Sequence, residues 1–450
     1  MNQNLWGRLL TRYEIERYLS QTGTDLSKIE TFPAIERHQG LFRCHRCNNQ
    51  NSKLFAILPN QKYYCTHCIQ MGRITEGDKL FYYPAPNYFL KEEMNHRLTW
   101  RGELSDEQKR ASKELVDSIK DVNHIHLIHA VTGAGKTEMI FQAIEEVLKI
   151  GGRVCIASPR IDVCLELYPR IQDAFQNTSV IVLYGDTEEV YTYTDIVIAT
   201  THQLLRFKSA FNLLIVDEVD AFPYVNDSSL HFAVRRSVKE NIGKLVYLTA
   251  TPDEHLENEF RIGRLTKTVL PARYHGYCLT VPEFIWVGDW RQQIKNKRMN
   301  NKLFKLLSSF CMIKGRRIIF MPNIALAEKL LTWLKEVYPS FNIACVHSKD
   351  LDRKIKIQKF RDFEIEILIS TTILERGVTF ENCHVCVVGS EHSQFTIASL
   401  VQISGRVGRK INFPTGTLIF AHFGHSKAMK EAKKQIQGMN KLARKKGLIQ

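Results

Sequence analysis

The sequence predicts an α/β chain in which two tandem domains, each a parallel sheet flanked by helices, follow a small four-cysteine ribbon. Three observations carry this expectation. From about residue 96 to 425, short apolar runs alternate with helical stretches, the rhythm of strand–helix–strand units, and the series restarts after a stretch marked by Pro271, Gly276 and Pro282. The first series alone opens with a glycine loop of the phosphate-cradling kind, Ala130-Val131-Thr132-Gly133-Ala134-Gly135-Lys136-Thr137. Ahead of both stand two Cys-x-x-Cys pairs at the spacing of a structural metal site. The expected divisions are 1–95, with the ribbon at about 40–75, then 96–270, 271–425 and a basic tail at 426–450.

Composition narrows the partners. Of 450 residues 44% are apolar, enough for sizeable cores, and the formal net charge of +15 points to a polyanion, nucleic acid before a membrane surface. No apolar run approaches the roughly 20 residues of a membrane helix, and the start of the chain does not read as a secretory signal. A cytoplasmic chain is expected. Seven of the eleven cysteines (Cys155, Cys164, Cys278, Cys311, Cys345, Cys383 and Cys386) sit singly in apolar stretches and read as small buried hydrophobes.

In the N-terminal region, residues 5–20 have helical periodicity. Cys44-x-x-Cys47 and Cys65-x-x-Cys68 each present two thiolates from a tight turn, and together they can close a tetrahedral zinc cage. Residues 53–58 and 61–64 read as two strands about the turn Pro59-Asn60. With four thiolates, no position is left for water, so this zinc holds structure; His45 and His67 are not needed as ligands. Arg43, Arg46, Lys53, Lys62, Arg73, Phe55, Tyr63 and Tyr64 suit single-stranded nucleic acid and equally a solvated hairpin face. Residues 82–87 read as a linker.

The first series begins with a helix capped by Ser105, with Gln108 at its third position; Gln108 also suits both edges of an adenine. In the glycine loop, backbone N–H groups and a helix start converge on one spot, Lys136 adds a point charge for β/γ-phosphates, and Thr137 can ligate Mg²⁺. Thr132, Gly133, Ala134 and Gly135 complete the cradle. His124, His126 and His129 on the feeding strand read as packing and surface residues. Ligands collect at the carboxyl ends of parallel strands. Ser158, Arg160, Thr200, Thr201 and Gln203 therefore fall on a common rim as candidate nucleic-acid contacts, with Thr371 and Thr372 in the second series. Leu213-Leu214-Ile215-Val216 is a buried strand ending in Asp217-Glu218-Val219-Asp220; Asp217 can hold Mg²⁺, and Glu218 can orient and deprotonate water. The strand 244–249 ends in Thr249-Ala250-Thr251, whose hydroxyls can bond the acidic cluster.

The second series has no phosphate loop. A helix from about Ile397 is expected to carry Gln402, Arg406 and Arg409, the two arginines on one face and placed to stabilise a γ-phosphate. The tail from Lys427 reads as a basic helix for backbone phosphates or acidic headgroups, and equally as a solvated face.

In order, AVTGAGKT, SPR, TTHQLL, DEVD, TAT, STTILERGVTF and QISGRVGR resemble the motifs of superfamily 2 helicases across roughly residues 96–425. With the four-cysteine site ahead of them, the chain resembles the ComFA-type late competence ATPases of Gram-positive bacteria. That resemblance implies two RecA-like domains behind a zinc ribbon. It implies an ATP- and Mg²⁺-dependent translocase on single-stranded DNA, serving uptake of transforming DNA at the cytoplasmic face of the uptake channel. It assigns Gln402, Arg406 and Arg409 to γ-phosphate sensing. Companions it implies are a ComFC-like phosphoribosyltransferase-fold protein and the strand-loading protein DprA; self-association stays open. Ala130 replaces a usual first glycine, and DEVD stands where relatives carry DEAH or DEAD. The rival readings are a replication-restart helicase, an RNA helicase, and a nucleotide-switched DNA-binding scaffold.

Overall fold

The computed structural model describes residues 3–19, 26–86, 96–121, 124–185, 190–297, 299–376 and 380–449. Asn87 at the end of the expected linker, and Gly377–Thr379 of the STTILERGVTF motif, lie outside them. By contact the chain divides into two compact units. One comprises Met1–His129 and Thr137–Thr268, the other Ala130–Lys136 and Val269–Gln450.

The first unit opens with β1 (Arg8–Thr11), α1 (Arg12–Leu19), β2 (Glu30–Pro33), β3 (Ile35–His38), β4 (Leu41–Cys44), β5 (Phe55–Ile57), β6 (Tyr63–Cys65) and β7 (Lys79–Tyr83). Strands β1, β7 and β2 form an antiparallel sheet, and β3–β4 and β5–β6 are two hairpins, each ending at a cysteine pair. The helix expected over 5–20 starts only at Arg12. Residues 8–11 are extended because Leu9 and Leu10 are buried on β7, a tertiary pairing that overrides local periodicity. A capping box starts α1 instead: Glu14 N donates to Thr11 Oγ1 at 3.4 Å and Thr11 N to Glu14 Oε2 at 2.9 Å.

There follow α2 (Asp106–Ile119), β8 (Ile125–Ala130), α3 (Lys136–Met139), α4 (Phe141–Lys149), β9 (Val154–Ser158), α5 (Ile161–Ala174), β10 (Val180–Leu183), β11 (Ile196–Thr200), β12 (Leu213–Asp217), α6 (Ser228–Ser237), β13 (Lys244–Thr249), α7 (Glu254–Arg261) and β14 (Leu265–Leu270). The sheet order is β10-β11-β9-β12-β13-β8-β14, with the pairings from β10 through β8 parallel. Strands β9, β11 and β13 are buried at every position, which is why they read as unbroken apolar runs.

The second unit contains β15 (Glu283–Trp286), α8 (Trp290–Lys295), α9 (Lys302–Cys311), β16 (Arg316–Phe320), α10 (Ile324–Val337), β17 (Ile343–Val346), α11 (Arg353–Arg361), β18 (Ile367–Ser370), β19 (Cys383–Val388), α12 (Ile397–Ser404), β20 (Leu418–His422) and α13 (Lys427–Lys445). Its six strands, β15-β20-β19-β16-β18-β17, are all parallel. The basic tail is this last helix, packed on α12, with Met429, Ala432 and Ile436 buried. Asn440 fixes it further, its side chain bonding both N and O of Leu279 at 2.8 and 2.9 Å.

Six of the seven single cysteines are buried as expected; Cys278 is half-exposed and accepts from Arg444. Among the described residues no helix is long and apolar enough to cross a membrane.

Candidate nucleotide site, metal centre and strand-contact turn

Three motifs leave the carboxyl edge of the first sheet side by side, because β13 pairs in parallel with β12 on one side and β8 on the other. After β8 comes the glycine loop. Gly133 (φ +81°) and Gly135 (φ +74°) take left-handed backbone that other residues adopt only at a cost, and α3 begins at Lys136. Thr137 is buried at the start of that helix. His126 and His129 of this strand pack as expected, bonding Thr266 Oγ1 at 2.7 Å and Ala250 O at 3.2 Å; His124, expected on the strand, lies just before it and pairs with Asp121 at 2.7 Å.

After β12 comes the acidic cluster. Asp217 Oδ1 accepts from Glu218 N at 2.8 Å. Glu218 itself has φ +56°, a strained conformation for a glutamate. Asp220 accepts from Thr249 Oγ1 and Thr251 Oγ1, so the expected bonding between the acids and Thr-Ala-Thr is present. Ahead of β8, Ser105 and Gln108 form the capping box, with Ser105 N donating to Gln108 Oε1 at 2.9 Å.

In the second unit, α12 ends at Ser404, so Arg406 and Arg409 do not share a helical face. Gly405 closes the helix, and Gly408, at φ +67°, turns the chain through the left-handed region. Arg406 is buried and Arg409 half-buried, and Gln402 is buried on α12. This unit includes Ala130–Lys136, and there the turn meets the loop: a Cβ on Gly405 would fall 2.0 Å from Thr132 Oγ1. Arg273, read from sequence as linker, packs against the loop and the turn. It is buried, its Nη1 donates to Gly408 O, and its Cγ would lie 3.6 Å from a Cβ on Gly133, with Arg409 Cγ at 3.7 Å. Burial and the Arg409 charge hold its pKa down at about 10. Nε and Nη2 of Arg273 have no hydrogen-bond partner among the described residues. The sequence signal was faint, an arginine just after a buried strand.

The four ribbon cysteines converge. Their Sγ atoms all lie within 4.8 Å of one another, with Cys44–Cys68 at 3.8 Å and Cys47–Cys65 at 3.7 Å. A tetrahedron with zinc–sulfur bonds of about 2.3 Å has an edge of about 3.8 Å, so the buried thiol set fits Zn²⁺. The Arg46 guanidinium, donating to Cys68 Sγ at 3.1 Å, favours the thiolate form a metal needs. His45 and His67 turn away to Glu36 (2.8 Å) and Asp227 (3.2 Å).

Two residues assigned to a nucleic-acid face are elsewhere. Arg46 is 2% exposed, because its guanidinium bonds Cys68 Sγ (3.1 Å) and the carbonyls of Cys68, Met71 and Gly72 (2.7, 3.0 and 2.6 Å). Phe55 is buried against Phe42, ring centroids 4.8 Å apart. Arg43, Lys53, Lys62 and Arg73 stay exposed.

The TTHQLL segment folds as a short turn, Thr201–Arg206, directly after β11. Thr200, Thr201 and Gln203 are buried, and Arg160 is half-buried; Thr371 and Thr372 stand half-exposed beyond β18. Sequence gave no hint of Arg236, the last-turn arginine of α6, which ties this turn to the ribbon. Its guanidinium donates to the carbonyls of His45 (3.0 Å) and Arg46 (2.8 Å) in the first knuckle, and of Leu205 (2.8 Å) and Phe207 (3.1 Å).

Comparison with known proteins agrees with this layout. Three family models match: the competence protein ComFA N-terminal domain over residues 1–82, the type III restriction enzyme res subunit over 101–254, and the helicase conserved C-terminal domain over 299–410. Yeast (S. cerevisiae) Dbp5 bound to RNA and ADP BeF3 has the same fold, at TM-score 0.55 and 16% identity, over 75% of this chain and 88% of that one. Mycobacterium smegmatis Lhr bound to single-stranded DNA and AMP-PNP matches at TM-score 0.55 and 19% identity, over 75% and 50%. Both likenesses speak to the RecA-type fold of the two parallel-sheet units. The competence protein ComFA of Streptococcus pneumoniae is 44% identical over 98% of this chain and 99% of its own length. That of Bacillus subtilis is 41% identical over 92% and 88%. The chain belongs to the ComFA family of competence proteins, which carry superfamily 2 helicase domains.

Proposed function

We propose that this chain hydrolyses ATP to move along single-stranded DNA and so draws transforming DNA into the cell. The observation that carries the proposal is the adjacency of phosphate loop, acidic cluster and Thr-Ala-Thr on one sheet edge of a ComFA-family chain. In this reading Lys136 and the loop amides hold the β/γ-phosphates, and Gln108 reads the adenine. Mg²⁺, held by Thr137 and Asp217, would neutralise phosphate charge. Glu218 orients the attacking water and takes its proton. Arg406, Arg409 and Arg273 stabilise charge on the γ-phosphate, with Gln402 beside them. Asp220 relays the outcome through Thr249 and Thr251 toward the strand contacts Arg160, Thr371 and Thr372 and toward the turn whose buried Thr200, Thr201 and Gln203 shape that surface. The zinc ribbon stiffens the N-terminal side of that track.

The divisions 1–95, 96–270, 271–425 and 426–450 are part of the same proposal. So are work at the inner face of the membrane beside the uptake channel, and the companions of ComFC and DprA type. The deciding experiment is steady-state ATPase activity with and without single-stranded DNA, duplex DNA and RNA. Stimulation by single-stranded DNA is expected; a rate indifferent to it sinks the motor, and preferential stimulation by RNA gives the rival enzyme. Arg273→Ala is expected to lower kcat at least about tenfold at saturating ATP.

A further inference from the structure

At its β15 edge, the sheet of the second unit ends in an aromatic and basic patch. Trp286 closes β15 and Phe423 follows β20. Those strands are parallel, with Trp286 opposite His422, so both rings stand at the carboxyl end of the sheet. Trp286 is 49% exposed and Phe423 48%, their ring centroids 6.4 Å apart. The Lys302 ammonium lies 4.3 Å from the Trp286 centroid. That of Lys433 lies 4.6 Å from Phe284, two residues back on the same side of β15, which sets the first turns of α13 against this edge. Lys430, one turn before Lys433, and Lys427, one turn before that, are exposed and form no ion pair among the described residues.

Carboxylates on the adjoining segments do not offset these cations. Glu431 pairs with Lys434 at 3.8 Å, Asp289 caps α8 through the N–H groups of Arg291 and Gln292, Glu391 accepts from Trp290 Nε1 at 2.7 Å, and Glu283 stands at the opposite end of β15. The residues of this unit that lie outside the described ones, Arg298, 377–379 and Gln450, include no acid. Half-exposed rings beside unpaired ammonium groups suit a polymer that offers both bases and phosphates. A membrane surface fits less well, because α13 turns its apolar side to the protein, with Met429, Ala432 and Ile436 buried, and keeps no apolar face to insert. With all six strands parallel, the patch shares the carboxyl rim of the sheet with Thr371 and Thr372, which follow β18. Four strand spacings, about 19 Å, separate them.

We propose that this patch is a second single-strand contact, stacking a base of single-stranded DNA on Phe423 and Trp286 and taking its phosphodiesters on Lys427 and Lys430. The inference rests on the single-stranded-DNA reading above and extends the course of the strand along the rim of the second sheet. The test is binding of labelled oligo-dT to the full-length chain across a salt series, for wild type, Phe423→Ala and Lys427→Ala/Lys430→Ala. All three substituted residues are exposed, and zinc content and thermal midpoint serve as checks of the fold. Phe423→Ala is expected to weaken Kd about fivefold or more at an unchanged salt slope, since stacking carries no charge. The lysine pair should make the slope shallower by about 1.4, the share of two phosphates on a single strand. An unchanged Kd in Phe423→Ala, or an unchanged slope in the lysine variant, would overturn the site. So would loss of binding to phosphatidylglycerol vesicles with oligo-dT binding intact, which would make the face a membrane contact. If both variants shift as expected but DNA fails to stimulate wild-type ATPase, the patch stands and the motor reading falls.

Discussion

Asp220 Oδ1 accepts a hydrogen bond from Thr249 Oγ1 at 2.7 Å, and its Oδ2 accepts another from Thr251 Oγ1 at 2.5 Å. The last acid of one motif thus holds both hydroxyls of the next, and all three groups are within the first unit. Thr251→Val removes the donor to one oxygen of a half-buried, charged carboxylate. The expected cost is about 1–3 kcal/mol in chemical denaturation. ATP affinity should stay within about twofold while DNA-stimulated turnover drops severalfold; equal loss of basal and stimulated rates would refute a relay role.

Glu218 separates chemistry from stability. Glu218→Gln should bind ATP as wild type and lose roughly a hundredfold or more in turnover, measured by single-turnover hydrolysis. Its φ of +56° adds a second expectation. Glu218→Gly should unfold at higher denaturant, by about 1 kcal/mol, while remaining inactive, because glycine relieves left-handed strain.

Arg46→Met tests the metal shell. The cysteines remain, but Cys68 loses its cationic donor, so zinc affinity measured by chelator competition should fall about 10–100-fold. Wild-type affinity in this variant would mean that Arg46 only fastens loops.

His126 predicts a pH dependence. Burial, with the nearby Lys244 charge, holds its pKa down at about 4, against 6.5 when unfolded. Between those values the unfolded chain binds a proton that the fold refuses, so stability rises with pH from 4 to 6.5 and the contribution is flat above. The full span is about 3 kcal/mol. Denaturant unfolding at stepped pH should show the slope in wild type and lose it in His126→Asn.

The parts of this molecule legible from sequence are those with a strong period or a fixed spacing. Buried parallel strands read as apolar runs, and the paired Cys-x-x-Cys motifs read as a cage. Ser105 and Gln108 read as a cap because the capping box is local chemistry. The misreadings share one cause: long-range contacts chosen by the fold. Residues 8–11 look helical until β7 is there to pair with them. Arg46 looks like a surface cation, yet three carbonyls brought in by the second knuckle surround it. Arg406 and Arg409 keep helical spacing, but Gly405 and Gly408 end the helix between Gln402 and Arg409. Arg236 was invisible because what distinguishes it is the set of backbone carbonyls around it, and Arg273 showed only faintly because the Gly408 carbonyl it meets is far along the chain.

The short helix α6 is strapped at both ends to the metal ribbon. At its start, Asp227 and Ser229 meet His67 Nε2 at 3.2 and 3.1 Å; at its last turn, Arg236 grips the backbone of the first knuckle and of the strand-contact turn together. Under the proposed function, zinc starvation would therefore reach this protein as a mechanical fault. A cell short of the metal would still make a chain with its phosphate loop and acids, but the turn after β11 would lose its brace.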